Sequence, residues 1–227
     1  MTTTYLTGGE PFLLPGGKRG ALLVHGFTGL PRDMRPVGEA LQRAGITALG
    51  VRLAGHATEV DDLLRNHWED WYQTVLDGYH LLRGLCDDVV VIGLSMGAVL
   101  SLRLAAEEPV RGVVTMSAPS ILHFNQLDWR AHNARLISPF FKAVPKEYEG
   151  EPPTDVYTVF PTLAIAQFFD LVEFGAPQRD SAVSPRCRAA APWPRCGTAA
   201  ASRGGRCCGR CAASGRCRWP CRGGTPR

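Results

Sequence analysis

One stretch, Val89-Val-Val-Ile-Gly-Leu-Ser-Met-Gly97, limits what this chain can fold into more than any other. Four consecutive β-branched residues (Val89, Val90, Val91, Ile92) read as a strand buried on both faces. Gly93-Leu-Ser-Met-Gly97 follows, and an Ala/Leu-rich run over 98–106 then favours a helix. Strand, Gly-x-Ser-x-Gly and helix together are the setting of a nucleophile elbow. The serine there sits on a sharp, strained turn, and the glycines remove Cβ atoms where strand and helix crowd together. Such a turn lifts the Ser95 hydroxyl off the sheet edge and aims the Met96 N–H at a developing oxyanion. An ordinary glycine-rich strand–helix turn also fits the pentapeptide taken alone, so its surroundings matter.

Those surroundings alternate strand and helix. Gly20-Ala-Leu-Leu-Val24 has a buried-strand pattern and runs into His25-Gly-Phe-Thr-Gly29. Residues 33–44 suit a helix: Asp33 can cap it, Pro36 is tolerated in its first turn, and Val37, Ala40, Leu41 and Ala44 share a face. A strand over 46–51 ends in Arg52-Leu-Ala-Gly-His56. Residues 68–82 form an amphipathic helix, with Trp68, Trp71, Tyr72, Val75, Leu76, Tyr79 and Leu82 at 3–4 spacing. That aromatic stripe reads as core rather than as a stacking platform. Pro109 stops the helix after Ser95, and a fourth strand over 110–116 ends at Ser117-Ala-Pro119. The alternation predicts a mostly parallel α/β sheet covered on both faces, with right-handed crossovers. Ligands of such sheets bind at the carboxyl ends of the strands, where His25, His56, Ser95 and Ser117 all fall.

After Ser120 the rhythm changes. Pro139, Pro145, Pro152 and Pro153 punctuate helical pieces, the best over 160–174, where Phe160, Leu163, Ala164, Phe168, Leu171 and Val172 align. With no strand expected here, 120–174 reads as a helical cap over the serine that supplies an apolar pocket. A plain surface excursion is the alternative. The expected organisation is therefore a core over 1–119, a cap over 120–174 and a distinct tail over 175–227.

The tail differs in composition. Residues 1–174 carry 14 Lys and Arg against 20 Asp and Glu, whereas 175–227 carry 11 Arg, no Lys and one acid, Asp180. Seven of the eight cysteines lie in the tail, and Val183 is its only Ile, Leu, Val, Met or Phe residue. The basicity of the chain thus belongs to the tail. One cysteine in the first 174 residues suggests a reduced, cytoplasmic setting. Residues 1–10 lack the basic and apolar regions of a signal peptide, and no apolar run approaches the roughly 18–20 residues of a membrane span.

Residues 20–174, about two-thirds of the chain, resemble the small bacterial carboxylesterases and monoacylglycerol lipases of the α/β-hydrolase superfamily. The resemblance rests on His25-Gly-Phe-Thr-Gly29, Arg52-Leu-Ala-Gly-His56, Trp68-Glu-Asp-Trp71 with Asp77-Gly-Tyr79, Gly93-Leu-Ser-Met-Gly97 and Val113-Val-Thr-Met-Ser-Ala-Pro119. Ala57 departs from it, standing where the family usually has a second glycine. The resemblance implies Ser95 as nucleophile, with the Phe27 and Met96 N–H groups as an oxyanion hole worth roughly 3–4 kcal/mol per donor. The Phe27 side chain would line the acyl pocket. Gly26 belongs to the same loop, and His25 and His56 look like loop-fixing groups rather than bases. The implied partner is a small ester, an acylglycerol or simpler, and neither cofactor, metal nor nucleic acid is expected.

The family's acid and base have no counterparts. In α/β hydrolases the order is Ser, then Asp or Glu, then His, yet no histidine follows His132, and Asp180 is not flanked by a strand pattern. The closing strands and helices of the fold are expected to be lacking as well. Loss of the histidine costs on the order of 10⁶ in turnover by serine-protease precedent. Only His123 or His132 could substitute. For the tail, three readings stand. Cys208-x₂-Cys211 with Cys217-x₃-Cys221 could suit a four-thiolate zinc site, and the arginines could form a nucleic-acid arm. The favoured reading is a frameshift, since Arg, Ala, Pro, Gly, Cys, Trp and Ser are what GC-rich codons yield out of frame. A non-catalytic binding module is the alternative function.

Overall fold

In the computed structural model, residues 5–119, 133–148, 150–151 and 155–175 are described. Five strands form one sheet in the order β1-β3-β2-β4-β5: β1 (Phe12–Leu14), β2 (Arg19–Val24), β3 (Thr47–Gly50), β4 (Asp88–Leu94) and β5 (Gly112–Met116). All neighbours are parallel except β1, which runs antiparallel to β3 with Leu13 opposite Leu49. The β1 strand was not expected. It forms because Phe12 covers Gly50, on which even a Cβ would come within 2.2 Å of the ring.

Alternation along β2 divides the core in two. Leu22 and Val24 face one side, where they pack with Trp71, Val75, Tyr79 and Leu82 of α3 (Trp68–Leu85) and with Leu100 and Leu104 of α4 (Met96–Glu107). Ala21 and Leu23 face the other, with Phe12, Met34, Ala48 and Ile92 beneath α1 (Arg35–Arg43). This is the doubly covered sheet expected of the alternating pattern. After the short helix α2 (Val60–Leu64), α3 buries Trp71, Tyr72, Val75, Tyr79 and Leu82 of its predicted stripe, leaves Trp68 and Leu76 half-buried, and extends one turn further.

Three expectations need correction. Asp33 does not cap α1: the chain enters through a 3-10 turn, Pro31–Met34, in which Asp33 Oδ2 accepts the Leu30 N–H at 2.9 Å. Nor do Ala40 and Ala44 face the core. The helix turns Gly38 inward, because only a residue without a Cβ fits between Phe12 and Leu23, which would stand 2.9 and 3.1 Å from one. The fourth predicted strand is shorter and more open than its Val-rich sequence suggests. Val114 is 49% exposed, and β5 is the last strand of the sheet among the described residues.

The segment expected to be helical contains a two-stranded antiparallel hairpin, β6 (Ala143–Pro145) and β7 (Val159–Pro161), with Val144 opposite Phe160. Phe160 therefore lies in a strand, and the helix spans Thr162–Asp170 before a wider turn, Leu171–Gly175. The reason is local: Pro161 has no N–H and disfavours a helical Phe160 before it. Ala164, Ala166, Phe169, Leu171 and Val172 are buried, whereas Leu163 is exposed. Fastenings to the core are apolar and polar: Tyr157, Ala164, Leu171 and Val172 belong to the same buried cluster as Leu22 and Trp71. Trp68 N–H donates to Gln167 Oε1 at 3.2 Å, Thr58 N–H to the Tyr157 hydroxyl at 3.2 Å, and Arg32 to the Asp155 carbonyl at 2.8 Å.

Leu22, fully buried at the centre of the sheet, is the most direct test of this core. Leu22→Ala should lower unfolding stability by about 3 kcal/mol, read as a shifted urea midpoint. A change below about 0.5 kcal/mol, the range of surface substitutions, would contradict the packing.

Candidate active site

The site sits where β2, β3, β4 and β5 end. Ser95 lies between the last residue of β4 and the first of α4, with φ +52° and ψ −116°. A side chain costs energy at that φ, of order 1–3 kcal/mol, and the surroundings show what imposes it. A Cβ on Gly97 would stand 2.3 Å from the Val24 carbonyl oxygen and 2.5 Å from that of His25. One on Gly93 would stand 2.2 Å from the Gly97 carbonyl oxygen. Helix α4 is thus pressed against the end of β2, and the chain can pass from strand to helix only through a left-handed residue. The Ser95 N–H donates to the Met116 carbonyl at 2.8 Å, and Met96 opens the helix fully buried.

The turn over 25–29 closes beside the serine. Gly29 N–H donates to the Gly26 carbonyl at 3.0 Å, and a Cβ on Gly26 would lie 3.4 Å from Ser95 Cβ and 4.0 Å from its Oγ. Phe27 stacks between Phe168 (5.4 Å, 9°) and Phe160 (6.1 Å, 5°), with Trp71 at 6.1 Å. The result is an aromatic, apolar column next to Ser95. Thr28 is a second left-handed residue, at φ +53°, and its hydroxyl donates to the Phe27 carbonyl at 2.7 Å.

Beneath this turn lie two buried histidines, their ring centroids 5.1 Å apart. Leu53 N–H donates to His25 Nε2 at 3.2 Å, so Nδ1 carries the proton and donates to the Gly26 carbonyl at 2.9 Å. Both ring nitrogens of His25 are thereby spent on backbone, tying the 25–29 turn to the loop after β3. Burial pushes its pKa down to about 4. His56 is also held well below the ordinary histidine range, by burial first and then by His25. His56 Nδ1 pairs with the Ala54 carbonyl at 3.2 Å, and Nε2 has no partner among the described residues. Ala57, the departure from the family pattern, adopts φ +63°, a conformation that glycine takes without strain.

The structure thus brings Ser95, Met96, Gly26 and Phe27 together, with His25 and His56 packed underneath. Ser117, at φ +50°, directly follows β5. His123, His132, Asp180 and the tail cysteines lie outside the described residues. Among the described residues no cluster of His, Cys, Asp and Glu could hold a metal ion, and no helix is long and apolar enough to cross a membrane. Sequence reasoning missed Lys146, whose ammonium reaches Thr28 Oγ1 at 2.7 Å. No local signal could have found a contact between residues so far apart along the chain.

A serine at a left-handed strand–helix turn, on a parallel sheet of this order, defines an α/β hydrolase. The chain belongs to the α/β-hydrolase family, whose model matches residues 21–207. It is similar to the thermostable monoacylglycerol lipase of Bacillus sp. H-257, with 46% identity over 50% of this chain and 46% of that one. To the Bacillus subtilis carboxylesterase it is 32% identical, over 65% of this chain and 58% of the other. The chain therefore spans about half the length of the curated relatives it matches. Among solved structures, a metagenome-derived lipolytic enzyme superposes with a TM-score of 0.65 at 29% identity, covering 74% of this chain and 69% of the other. A monoglyceride lipase of Saccharomyces cerevisiae shares the fold at 15% identity, with a TM-score of 0.56, over 70% and 63% of the two chains.

The buried histidines make stability depend on pH. His25 is neutral in the folded chain down to about pH 4, whereas an exposed histidine takes up a proton near 6.5. The unfolded chain therefore binds more protons between those values, and stability falls as pH falls through that window. The loss attributable to His25 should reach about 3 kcal/mol at pH 4. Urea midpoints at pH 7.5, 6.5 and 5.5 test this above the carboxylate range. Equal midpoints across them would contradict neutral burial.

Proposed function

We propose that this chain carries the nucleophile half of a carboxylic ester hydrolase of the carboxylesterase and monoacylglycerol lipase type, with Ser95 at its centre. The observation that carries the reading is the Ser95 turn itself, a strained serine enforced by Gly93 and Gly97 and set against the 25–29 turn. The likeness to a monoacylglycerol lipase and a carboxylesterase supports the substrate class. Ser95 Oγ attacks the ester carbonyl, and the oxyanion that forms is held by the Phe27 and Met96 N–H groups, donors fixed before the charge develops. Collapse expels the alcohol and leaves an acyl-enzyme, which water then hydrolyses to the acid. The stacked Phe27, Phe160 and Phe168 give the acyl chain an apolar wall, with 120–174 acting as the cap that supplies it. A short- to medium-chain ester is the substrate we assign.

The same reading makes this chain impaired. A serine hydroxyl needs a general base at neutral pH, and His25 and His56 do not supply one. The first has both ring nitrogens bonded to backbone, and burial opposes the imidazolium that either would become on taking the serine proton. The order of residues that completes such a site, an acid and then a histidine after the cap, does not occur within these 227 residues. We take the Arg- and Cys-rich segment over 175–227 to be an out-of-frame translation. A reduced, cytoplasmic setting agrees with Cys86, the one cysteine among the described residues, being buried and unpaired.

A fluorophosphonate probe tests the reading. We expect slow labelling of the folded chain at a single site, lost in Ser95→Ala, with turnover of a p-nitrophenyl ester reduced on the order of 10⁶ relative to a complete enzyme. Absence of any labelling in folded protein would sink the catalytic reading and leave a non-catalytic module that holds apolar ligands.

A further inference from the structure

The β6–β7 hairpin touches the 25–29 turn at one aromatic and one polar point. The aromatic point is the stack of Phe160 on Phe27. The polar point is Lys146, the residue after β6. Its backbone N–H continues the hairpin by donating to the Thr158 carbonyl at 2.9 Å. Its ammonium lies 4.7 Å from the centre of the Phe160 ring and donates to Thr28 Oγ1 at 2.7 Å.

The direction of these bonds is fixed by chemistry. An ammonium has donors only, so Thr28 Oγ1 must accept from it and spend its own proton elsewhere. That proton goes to the Phe27 carbonyl at 2.7 Å. The chain of bonds therefore runs from the Lys146 ammonium through the Thr28 hydroxyl to the Phe27 carbonyl, and such chains strengthen one another. It ends on the one peptide of the turn that leads into a left-handed, non-glycine residue, Thr28 at φ +53°. Strained backbone of this kind persists only where surrounding contacts over-determine it. His25 holds the turn from below, and Lys146 is the contact that holds it from above. Part of the lysine is buried, which lowers its proton affinity, while the charge of Asp33 opposes that shift.

We propose that Lys146 is a positioning residue, whose bond to Thr28 locks the 26–29 turn and with it the Phe27 N–H, making the hairpin a structural part of the oxyanion site. The proposal rests on the reading of Phe27 as an oxyanion donor. It also explains why a cap residue so distant in sequence points a charge at a loop of the core. An apolar wall alone would not need one.

Hydrogen exchange read by mass spectrometry on the full chain tests the lock without requiring activity. The Gly29 amide, bonded to the Gly26 carbonyl, is the reporter. Lys146→Met should speed exchange in peptides covering 25–30 by about tenfold, the signature of local opening, with β4 and α3 unchanged. Lys146→Arg, which can still donate, should recover most of the protection. Thr28→Val should reproduce the rise from the core side, and adding Lys146→Met to it should add little, as expected of one shared interaction. Lys142→Met, which removes only an exposed pairing with Asp61 at 3.6 Å, is the control. Unchanged exchange over 25–30 in both Lys146→Met and Thr28→Val would overturn the proposal. So would a rise shared equally by the whole sheet, or failure of Lys146→Arg to restore protection. A second readout separates this from the esterase reading: Lys146→Met should slow fluorophosphonate labelling of Ser95 by about tenfold, the scale of one lost hydrogen bond. A parent chain that takes no label removes the esterase reading, and the exchange result still decides what Lys146 does.

Discussion

The close approach of α4 to the end of β2 fixes the geometry on which the site depends. Gly97 lies so near the Val24 and His25 carbonyls that no side chain can stand there, and Gly93 is equally closed by Gly97. Because α4 must start at that distance from β2, the residue joining β4 to α4 is forced into a left-handed conformation. That residue is Ser95. The strain of Ser95 and its position at the strand ends are thus two consequences of one packing constraint. The neighbouring turn inherits it, since the His25 carbonyl that meets Gly97 belongs to the residue whose ring pins Gly26 and Leu53.

What the sequence revealed follows from how local each determinant is. Strands β2 and β4 were legible because four or five consecutive apolar residues leave few alternatives, and α3 because its stripe repeats over five turns. The pentapeptide around Ser95 carries its own glycines. The placement of His25, His56, Ser95 and Ser117 at strand ends followed from the alternation of elements. Determinants that lie across space were not legible. Strand β1 exists because Phe12 fits Gly50, and the buried side of α1 is chosen by Gly38 rather than by its alanines. The β6–β7 hairpin was hidden by an apolar run that suits a helix in spacing but contains Pro161. Lys146 and Thr28, 118 residues apart, could be joined only by the fold.

The layers around the turn divide the labour. Below it, neutral histidines use ring nitrogens as backbone partners, which requires dry surroundings and makes the arrangement sensitive to acid. Beside it, three stacked phenylalanines give an apolar wall. Above it, one ammonium completes a chain of polar bonds. On the proposed esterase reading, each would help to hold backbone N–H groups still where negative charge develops in acyl transfer. The described residues thus hold the turn beside Ser95 from three sides, and on the proposed reading none of them is placed to transfer a proton.

That imbalance is the centre of the account, and the coding DNA tests it most directly. Sequencing codons 165–227 and translating all three frames should show, in a frame adjacent to the one that yields the Arg- and Cys-rich segment, a β-strand pattern, an aspartate or glutamate, and later a histidine before a final helix. The change of frame should fall near codon 175, where the composition breaks. If no frame encodes such a series, the segment over 175–227 is the chain's own, and the strained serine serves binding rather than turnover.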